Sequence, residues 1–395
     1  MPLDAVDRIN EALKERPAEL AAARESGKKV VGWMGYNVPE EMIHALGMIP
    51  VRLGRGGDDR LVEVGARYVS TQNCVFVRES AGLFAENEDP YVRNCDAVVV
   101  DATCIQLYRL AEVIRHYFQV RTFTLGVPRS FERYAAREYF IREVESLGLE
   151  LERYSGCGLD NAKLASSVAL YNGIRDAVRE LYRYPAAAGS PIRWREVYDV
   201  VIAGFYLDRE RYLALLRNLL EELKAGGTTG GGHSPDNGVR IVLSGSVIAP
   251  GDSKLIDIVE HSNGTIVCDN LWSGYAPYLD AAVKQPTVRG IAEGYMDRTP
   301  HAAQPCLDPA ADVRIRNMLR MVSENRAHGV IYHTLRFCDS FTLRTGNFRD
   351  SMRSAGVPVL DIHTEYAGSD IESIRTRVEA FVELMEGNRP IREGS

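Results

Sequence analysis

Cysteines are the residues of this 395-residue chain with the clearest potential for metal chemistry. The chain has seven of them, at Cys74, Cys95, Cys104, Cys157, Cys268, Cys306 and Cys338. No two form a CxxC pair, which excludes the local motifs of zinc ribbons and ferredoxins. A cysteine that is only buried behaves as a small apolar side chain. Position in the fold, rather than spacing, must therefore identify any ligands among the seven.

Three of the cysteines stand where a predicted strand leads into a predicted helix. Cys104 follows AVVVDAT, Cys338 follows GVIYHTLRF, and Cys74 follows a predicted strand over 66–70. Ligands of open α/β sheets bind at the carboxyl ends of the strands, and a helix N-terminus favours the thiolate form of cysteine. We expect these three thiolates to converge on a soft-metal or Fe–S site, with a catalytic zinc bound by three sulfurs and water as the competing interpretation.

The other four cysteines have weaker positions. Cys95 precedes its strand, at the opposite edge of the sheet, and Cys157 lies in a connection, so we expect both to lie away from the site. Cys306 lies in the Pro-flanked loop PHAAQPCLDP. Cys268 ends a predicted strand and remains a possible ligand.

Strands alternating with helices on both sides of a helical stretch predict two α/β lobes with mostly parallel sheets. The first strand is KKVVGWMGY, the helical stretch begins near Asp160, and strands resume at Arg240. AGGTTGGGHSPDNG has the composition of a linker and lacks the GK[ST] of a phosphate-binding loop. The predicted segments are an N-terminal helix over 1–28, a first α/β lobe over 29–158, a helical block over 159–226, a Gly-rich linker over 227–238 and a second α/β lobe over 239–395.

Composition limits the classes of partner. The chain is 45% hydrophobic, with 47 Lys and Arg against 54 Asp and Glu and a net charge of −7. This balance is typical of a globular protein and argues against nucleic-acid binding, which needs a basic face. No apolar run approaches the ~18–20 residues that span a bilayer, and the charged N-terminus lacks an apolar signal core, so we expect no membrane partner and a cytoplasmic location.

Several segments, in order, resemble the 2-hydroxyacyl-CoA dehydratase family, which includes benzoyl-CoA reductase subunits and double-cubane cluster proteins. GWMGYNVPEEMIHALGMIPVRL is similar to the family's opening strand and V-P-E-E helix start. STQNCVF, VVVDATCIQLYRL and GVIYHTLRFCDSF resemble its three cysteine motifs, and IRTRVEAFVELM resembles its closing helix. The resemblance covers nearly the whole chain after the first helix.

The resemblance implies two flavodoxin-like, Rossmann-type lobes and an oxygen-sensitive iron–sulfur cluster held by Cys74, Cys104 and Cys338. The cluster would be [4Fe–4S] or a double-cubane [8Fe–9S], with Cys306 as a reserve ligand. The implied partners are a homologous second subunit or a second copy in a homodimer, an ATP-hydrolysing Fe–S activator and an acyl-CoA substrate. In the dehydratases, one electron converts the thioester carbonyl to a ketyl radical that expels the hydroxyl group.

The loop after the first strand departs from the family pattern. Dehydratases often have Cys-Ser-Tyr before V-P-E-E, where this chain has Gly35-Tyr36-Asn37. Because the loop follows a strand's carboxyl end, we expect Tyr36 and Asn37 to donate hydrogen bonds to a thioester or hydroxyl oxygen; the alternative is purely local hydrogen bonding. The expected function is dehydration of a 2-hydroxyacyl-CoA or reduction of an acyl group. The alternatives are a double-cubane reductase of small molecules and an electron-transfer subunit whose catalytic partner is another chain.

Overall fold

A computed structural model describes residues 3–226, 238–306, 308 and 311–387 of the chain. Of the predicted linker over 227–238, only Gly238 lies inside the described residues. No helix of the described ranges combines the length and the apolar character needed to cross a bilayer.

The first lobe contains a four-stranded sheet whose strands all run parallel, in the order β2-β1-β3-β4. The inner strands β1 and β3 are buried along their whole length, as their apolar runs require in a sheet covered on both faces. The strands are β1 (Val30–Met34), β2 (Ile49–Arg52), β3 (Ala97–Asp101) and β4 (Arg121–Leu125). The helices up to the end of this lobe are α1 (Asp4–Glu25), α2 (Glu40–Ala45), α3 (Asp59–Gly65), α4 (Val75–Glu86), α5 (Pro90–Arg93), α6 (Ile105–Tyr117) and α7 (Tyr134–Ser155).

Three helices follow the first lobe: α8 (Asn161–Leu181), α9 (Trp194–Gly204) and α10 (Arg209–Ala225). Aspartates cap two of them, because Asp160 accepts hydrogen bonds from the first N–H groups of α8 and Asp208 does so for α10. Helix α10 packs against α8 and α1, so the N-terminal helix joins these helices. A buried ion pair between Glu41 of α2 and Arg175 of α8 ties them to the first lobe.

The second lobe repeats the topology of the first, with all strands parallel in the order β6-β5-β7-β8. Its strands are β5 (Val239–Gly245), β6 (Gly264–Leu271), β7 (Gly329–Leu335) and β8 (Val359–Thr364). Its helices are α11 (Lys254–His261), α12 (Val288–Met296), α13 (Val313–Glu324), α14 (Asp339–Thr342), α15 (Thr345–Ser354) and α16 (Ile371–Gly387). Two four-stranded parallel sheets confirm the predicted α/β class with two flavodoxin-like lobes.

The predicted strand over 66–70 is wrong. These residues form the turns that end α3, and Ala66 is its C-terminal cap. Helix α3 packs very closely against α4: a Cβ on Gly65 would lie 1.8 Å from the Arg78 carbonyl oxygen, and one on Gly82 would lie 2.1 Å from that of Leu61. This packing of two helices overrides the local β-preference of the tyrosine and valine in the segment.

Candidate functional site

The three cysteines predicted to form the site each occupy the N-cap position of a helix. Cys74 precedes α4, Cys104 precedes α6 and Cys338 precedes α14. Cys104 and Cys338 are equivalent in the two lobes, because each stands three residues after the corresponding strand, β3 or β7. The repeated strand–turn–helix unit thus presents a thiol at the same sheet edge in both lobes.

These cysteines come together from the two lobes. The side chains of Cys74 and Cys338 interact across the lobes, and the side chain of Ser340 in the second lobe interacts with Cys104. The backbone adds a further contact across the lobes, since the Val75 N–H donates to the Arg336 carbonyl at 3.4 Å. The structure therefore brings all three predicted site cysteines into one cluster.

The surroundings of the three thiols differ, and so do their pKa values. The hydrogen bond from Cys338 lowers the pKa of Cys74, with help from the N–H groups of Phe76 and Val77 at the start of α4. The same contact, together with burial, raises the pKa of Cys338 well above its usual value. Burial also raises the pKa of Cys104. A bound metal would displace the protons of these thiols, because cysteine binds metal as the thiolate.

The remaining cysteines are directed elsewhere. Cys95 lies just before β3, where burial raises its pKa, and Cys157 is exposed. Cys268 is a buried residue inside β6 rather than at its end. The thiol of Cys306, the reserve ligand, donates to the Asp308 carbonyl at 3.0 Å.

The loop after β1 is tied to the Cys104 loop by Asp101, the last residue of β3. Its carboxylate accepts hydrogen bonds from the N–H groups of Tyr36 at 2.6 Å, Thr103 at 3.1 Å and Asn37. Gly35 adopts φ +120°, and a Cβ there would lie 2.3 Å from this carboxylate, so the close approach requires glycine. Sequence analysis missed Asp101; the available signal was an acidic residue ending the apolar run AVVV.

Tyr36 and Asn37 both lie between the lobes with their side chains buried. The Tyr36 hydroxyl donates to the Thr299 carbonyl at 2.9 Å, and its ring lies 4.7 Å from the Arg298 guanidinium. The Asn37 amide donates to the Thr103 hydroxyl at 2.7 Å and accepts from Arg298 at 3.5 Å. Both side chains therefore make hydrogen bonds to residues far away in the sequence, and their role toward a substrate stays a prediction.

A small cavity of about 60 Å³ adjoins Tyr36 on the side of the second lobe. Trp272, His301 and Phe341 line it, and Phe341 follows Cys338 closely in α14. Burial lowers the pKa of His301 to about 3, so its imidazole is neutral at physiological pH. Aromatic side chains thus line one part of the cavity, the charged side chains of Asp312, Arg314 and Arg344 line another, and its histidine carries no charge.

The donor set fits an iron–sulfur cluster. Among the described residues, no three His, Cys, Asp or Glu side chains are arranged around a single metal-ion position. Cluster binding has a different requirement, because each cysteine sulfur of a cubane binds a separate iron atom. Three sulfurs at helix N-termini, with one pKa lowered, supply the thiolate ligands that such clusters use.

Comparisons with known proteins show which family the chain is similar to. The model of the family described as 2-hydroxyglutaryl-CoA dehydratase, D-component, matches residues 5–385. The beta subunit of lactoyl-CoA dehydratase from Anaerotignum propionicum is 26% identical over 91% of this chain and 93% of its own length. A benzoyl-CoA reductase subunit from Thauera aromatica is 24% identical over 95% and 97%. The beta subunit of (R)-2-hydroxyglutaryl-CoA dehydratase from Acidaminococcus fermentans is 21% identical over 93% and 95%.

The family match extends over both lobes and the helices between them, and it includes all three clustered cysteines. Only a few described residues at either end lie outside the matched range. This chain belongs to the 2-hydroxyglutaryl-CoA dehydratase D-component family.

Proposed function

We propose that this chain is the Fe–S cluster subunit of an enzyme that dehydrates a 2-hydroxyacyl-CoA, or reduces an acyl-CoA, after ATP-dependent activation by single electrons. The observation that carries the proposal is the meeting of three cysteines from two lobes. Cys104 and Cys338 follow equivalent strands of the two lobes, and Cys74 stands at the start of α4. The relatives add the reaction class, since they are subunits of lactoyl-CoA dehydratase, (R)-2-hydroxyglutaryl-CoA dehydratase and benzoyl-CoA reductase.

The three cysteine sulfurs would hold a [4Fe–4S] cluster, which supplies one-electron chemistry at low potential. The protein's own contribution is electrostatic. The N–H groups at the starts of α4, α6 and α14 face the three sulfurs and stabilise their negative charge. With three protein ligands, one iron would remain available to a substrate oxygen or another ligand.

Tyr36 and Asn37 are the proposed donors to the substrate. For this role the Tyr36 hydroxyl would exchange the Thr299 carbonyl for a thioester or hydroxyl oxygen, while Asp101 holds the loop backbone in place. A donor aimed at an oxygen where charge develops stabilises the transition state more than the ground state. The aromatic part of the small cavity beside Tyr36 would exclude water from that oxygen.

The presence and type of the cluster are tested on protein purified without oxygen. Iron and acid-labile sulfide are measured, and EPR spectra are recorded. About four irons per chain support [4Fe–4S], and about eight irons support the double-cubane [8Fe–9S] and a reductase of small molecules. Cys338→Ser should lose iron, whereas Cys157→Ser, at an exposed position, should retain it. A chain that binds only zinc, or loses no iron in Cys338→Ser, contradicts the proposal.

The relatives are named as individual subunits, several of them as beta subunits, which supports a partner chain. We propose assembly with a homologous second subunit, or as a homodimer, and electron supply by an ATP-hydrolysing Fe–S activator, in the reducing cytoplasm. Light scattering measures the assembly. The reaction is tested by measuring turnover of an acyl-CoA in the presence of activator and ATP, with the chain alone and with the chain and its second subunit. Lack of turnover in both cases indicates an electron-transfer subunit.

A further inference from the structure

We infer that Gln106 is a positioning residue that holds the three cysteine segments together across the two lobes. The inference rests on the proposed function where it concerns a bound cluster, and on hydrogen bonds alone where it concerns the protein. Gln106 lies in the first turn of α6, two residues after Cys104, and its side chain is buried.

Each polar group of Gln106 contacts a different cysteine segment. Its backbone N–H points to the Cys104 sulfur. Its side-chain carbonyl accepts a hydrogen bond of 2.6 Å from the Cys74 N–H. Its amide group donates to the Phe337 carbonyl at 3.0 Å, directly before Cys338. One residue of the first lobe therefore fixes the backbone on which both other thiols are mounted.

The segment that Gln106 contacts in the second lobe needs an external partner. Phe337 adopts φ +62°, in the left-handed region that bulky residues rarely occupy. Its carbonyl accepts from the Asp339 N–H at 3.2 Å in addition to the Gln106 amide. Two donors on one carbonyl hold an otherwise unfavourable backbone conformation in place. Gln106 thereby determines where the first helical turn after Cys338 begins.

The amide is suited to this position because it is both donor and acceptor. The same amide nitrogen also donates to the Asp339 carboxylate at 3.2 Å. A glutamate would keep an acceptor for the Cys74 N–H, but it would place a second carboxylate opposite Asp339 and the Phe337 carbonyl. A methionine would keep the volume and lose every side-chain hydrogen bond.

Disulfide formation in the cluster-free protein tests the inference without any metal. Diamide accepts two electrons and two protons from a pair of thiols, and mass spectrometry follows the peptide that joins Cys74 to Cys338. We expect Gln106→Met to slow this reaction about threefold to tenfold, as loss of the hydrogen bonds lets the loops separate. Gln72→Met is the matched control, because Gln72 is exposed in the loop before Cys74.

A second pair of variants separates positioning from misfolding. Gln106→Glu should slow the disulfide as much as Gln106→Met, and adding Asp339→Asn should restore part of the rate, because an asparagine amide can donate to the new carboxylate. Thermal unfolding of each variant checks the fold. Partial rescue cannot come from a protein that has merely lost its structure.

The rate of iron release from protein with its cluster bound supplies the second measurement. Anaerobic transfer of iron to a chelator should be about threefold to tenfold faster in Gln106→Met than in Gln72→Met. If wild-type protein binds no iron, the proposed function fails, and the disulfide rates still decide the role of Gln106. If iron is bound and the Gln106 and Gln72 variants behave alike in both assays, Gln106 does not position the cysteines.

Discussion

Replacing Glu79 with glutamine should make the protein more resistant to alkaline pH. Glu79 lies on α4 with its side chain fully buried, and neither carboxylate oxygen makes a hydrogen bond of normal geometry, although the Asp58 N–H faces it. Burial and repulsion by the carboxylates of Asp58 and Asp252 raise its pKa to about 8, against a weaker attraction from Arg55. The folded protein therefore keeps a proton that the unfolded chain releases.

The sign of the pH effect follows from this difference. Glu79 in the unfolded chain has its ordinary pKa of 4.5, so the folded state binds more protons between that value and about 8. Stability falls with rising pH in this window, by about 1.4 kcal/mol per pH unit. From pH 6 to pH 8 the wild-type protein should lose about 2 kcal/mol through Glu79, because the slope decreases close to the folded pKa. Glutamine does not titrate, so the Glu79→Gln variant does not lose this part of its free energy of unfolding as the pH rises.

Urea unfolding of the cluster-free protein at pH 6, 7 and 8 measures the effect. The quantity compared is the difference in the free energy of unfolding between the wild type and Glu79→Gln. Asp252, whose pKa burial raises to about 7, titrates in the same window in both proteins, so only the difference between them is interpreted. Glu63→Gln is the control, since Glu63 is exposed on α3, the helix that packs against α4. A constant difference across the three pH values refutes a raised pKa at Glu79.

Three further predictions concern the site and its support. Tyr36→Phe should lower turnover about a hundredfold at unchanged iron content, if its hydroxyl stabilises a substrate oxygen; a normal rate contradicts that role. Cys104→Ser should reduce the iron content of anaerobically purified protein, whereas Cys268→Ser, inside β6, should not. Arg175→Met should destabilise the protein by about 3–5 kcal/mol in urea unfolding, because it leaves the buried Glu41 carboxylate without its counter-charge.

The sequence predicts the elements whose burial follows from local pattern. The strand predicted in AVVVDAT is β3, and the helix predicted after Cys104 is α6. The continuous apolar run of β3 indicates a strand buried on both faces, and the rule for strand ends then places Cys104 at the site. These features depend on residues that are neighbours in the sequence, so a single sequence is enough to predict them.

Sequence patterns do not predict the contacts between the lobes. Gln106 and Phe337 are separated by 231 positions, and neither residue type suggests the other as a partner. Arg298, just after α12, likewise donates to the Tyr36 carbonyl across 262 positions of the sequence. The error at residues 66–70 has the same origin, since the approach of α3 to α4 depends on Gly65 and Gly82 meeting backbone across a helix interface.

Cysteine stands at the start of three helices of this chain, where aspartate stands at the start of others. Asp58, Asp89, Asp160, Asp208 and Asp312 cap other helices of this chain with side-chain hydrogen bonds. None of the three site cysteines makes such a bond, and residues that cap well are worth about 0.5–2 kcal/mol each relative to alanine. Helices α4, α6 and α14 therefore forgo that stabilisation, as do α1, α2 and α7, whose N-cap residues make no such bond either. If the proposed cluster binds at these three helix starts, their N–H groups would stabilise its negative charge.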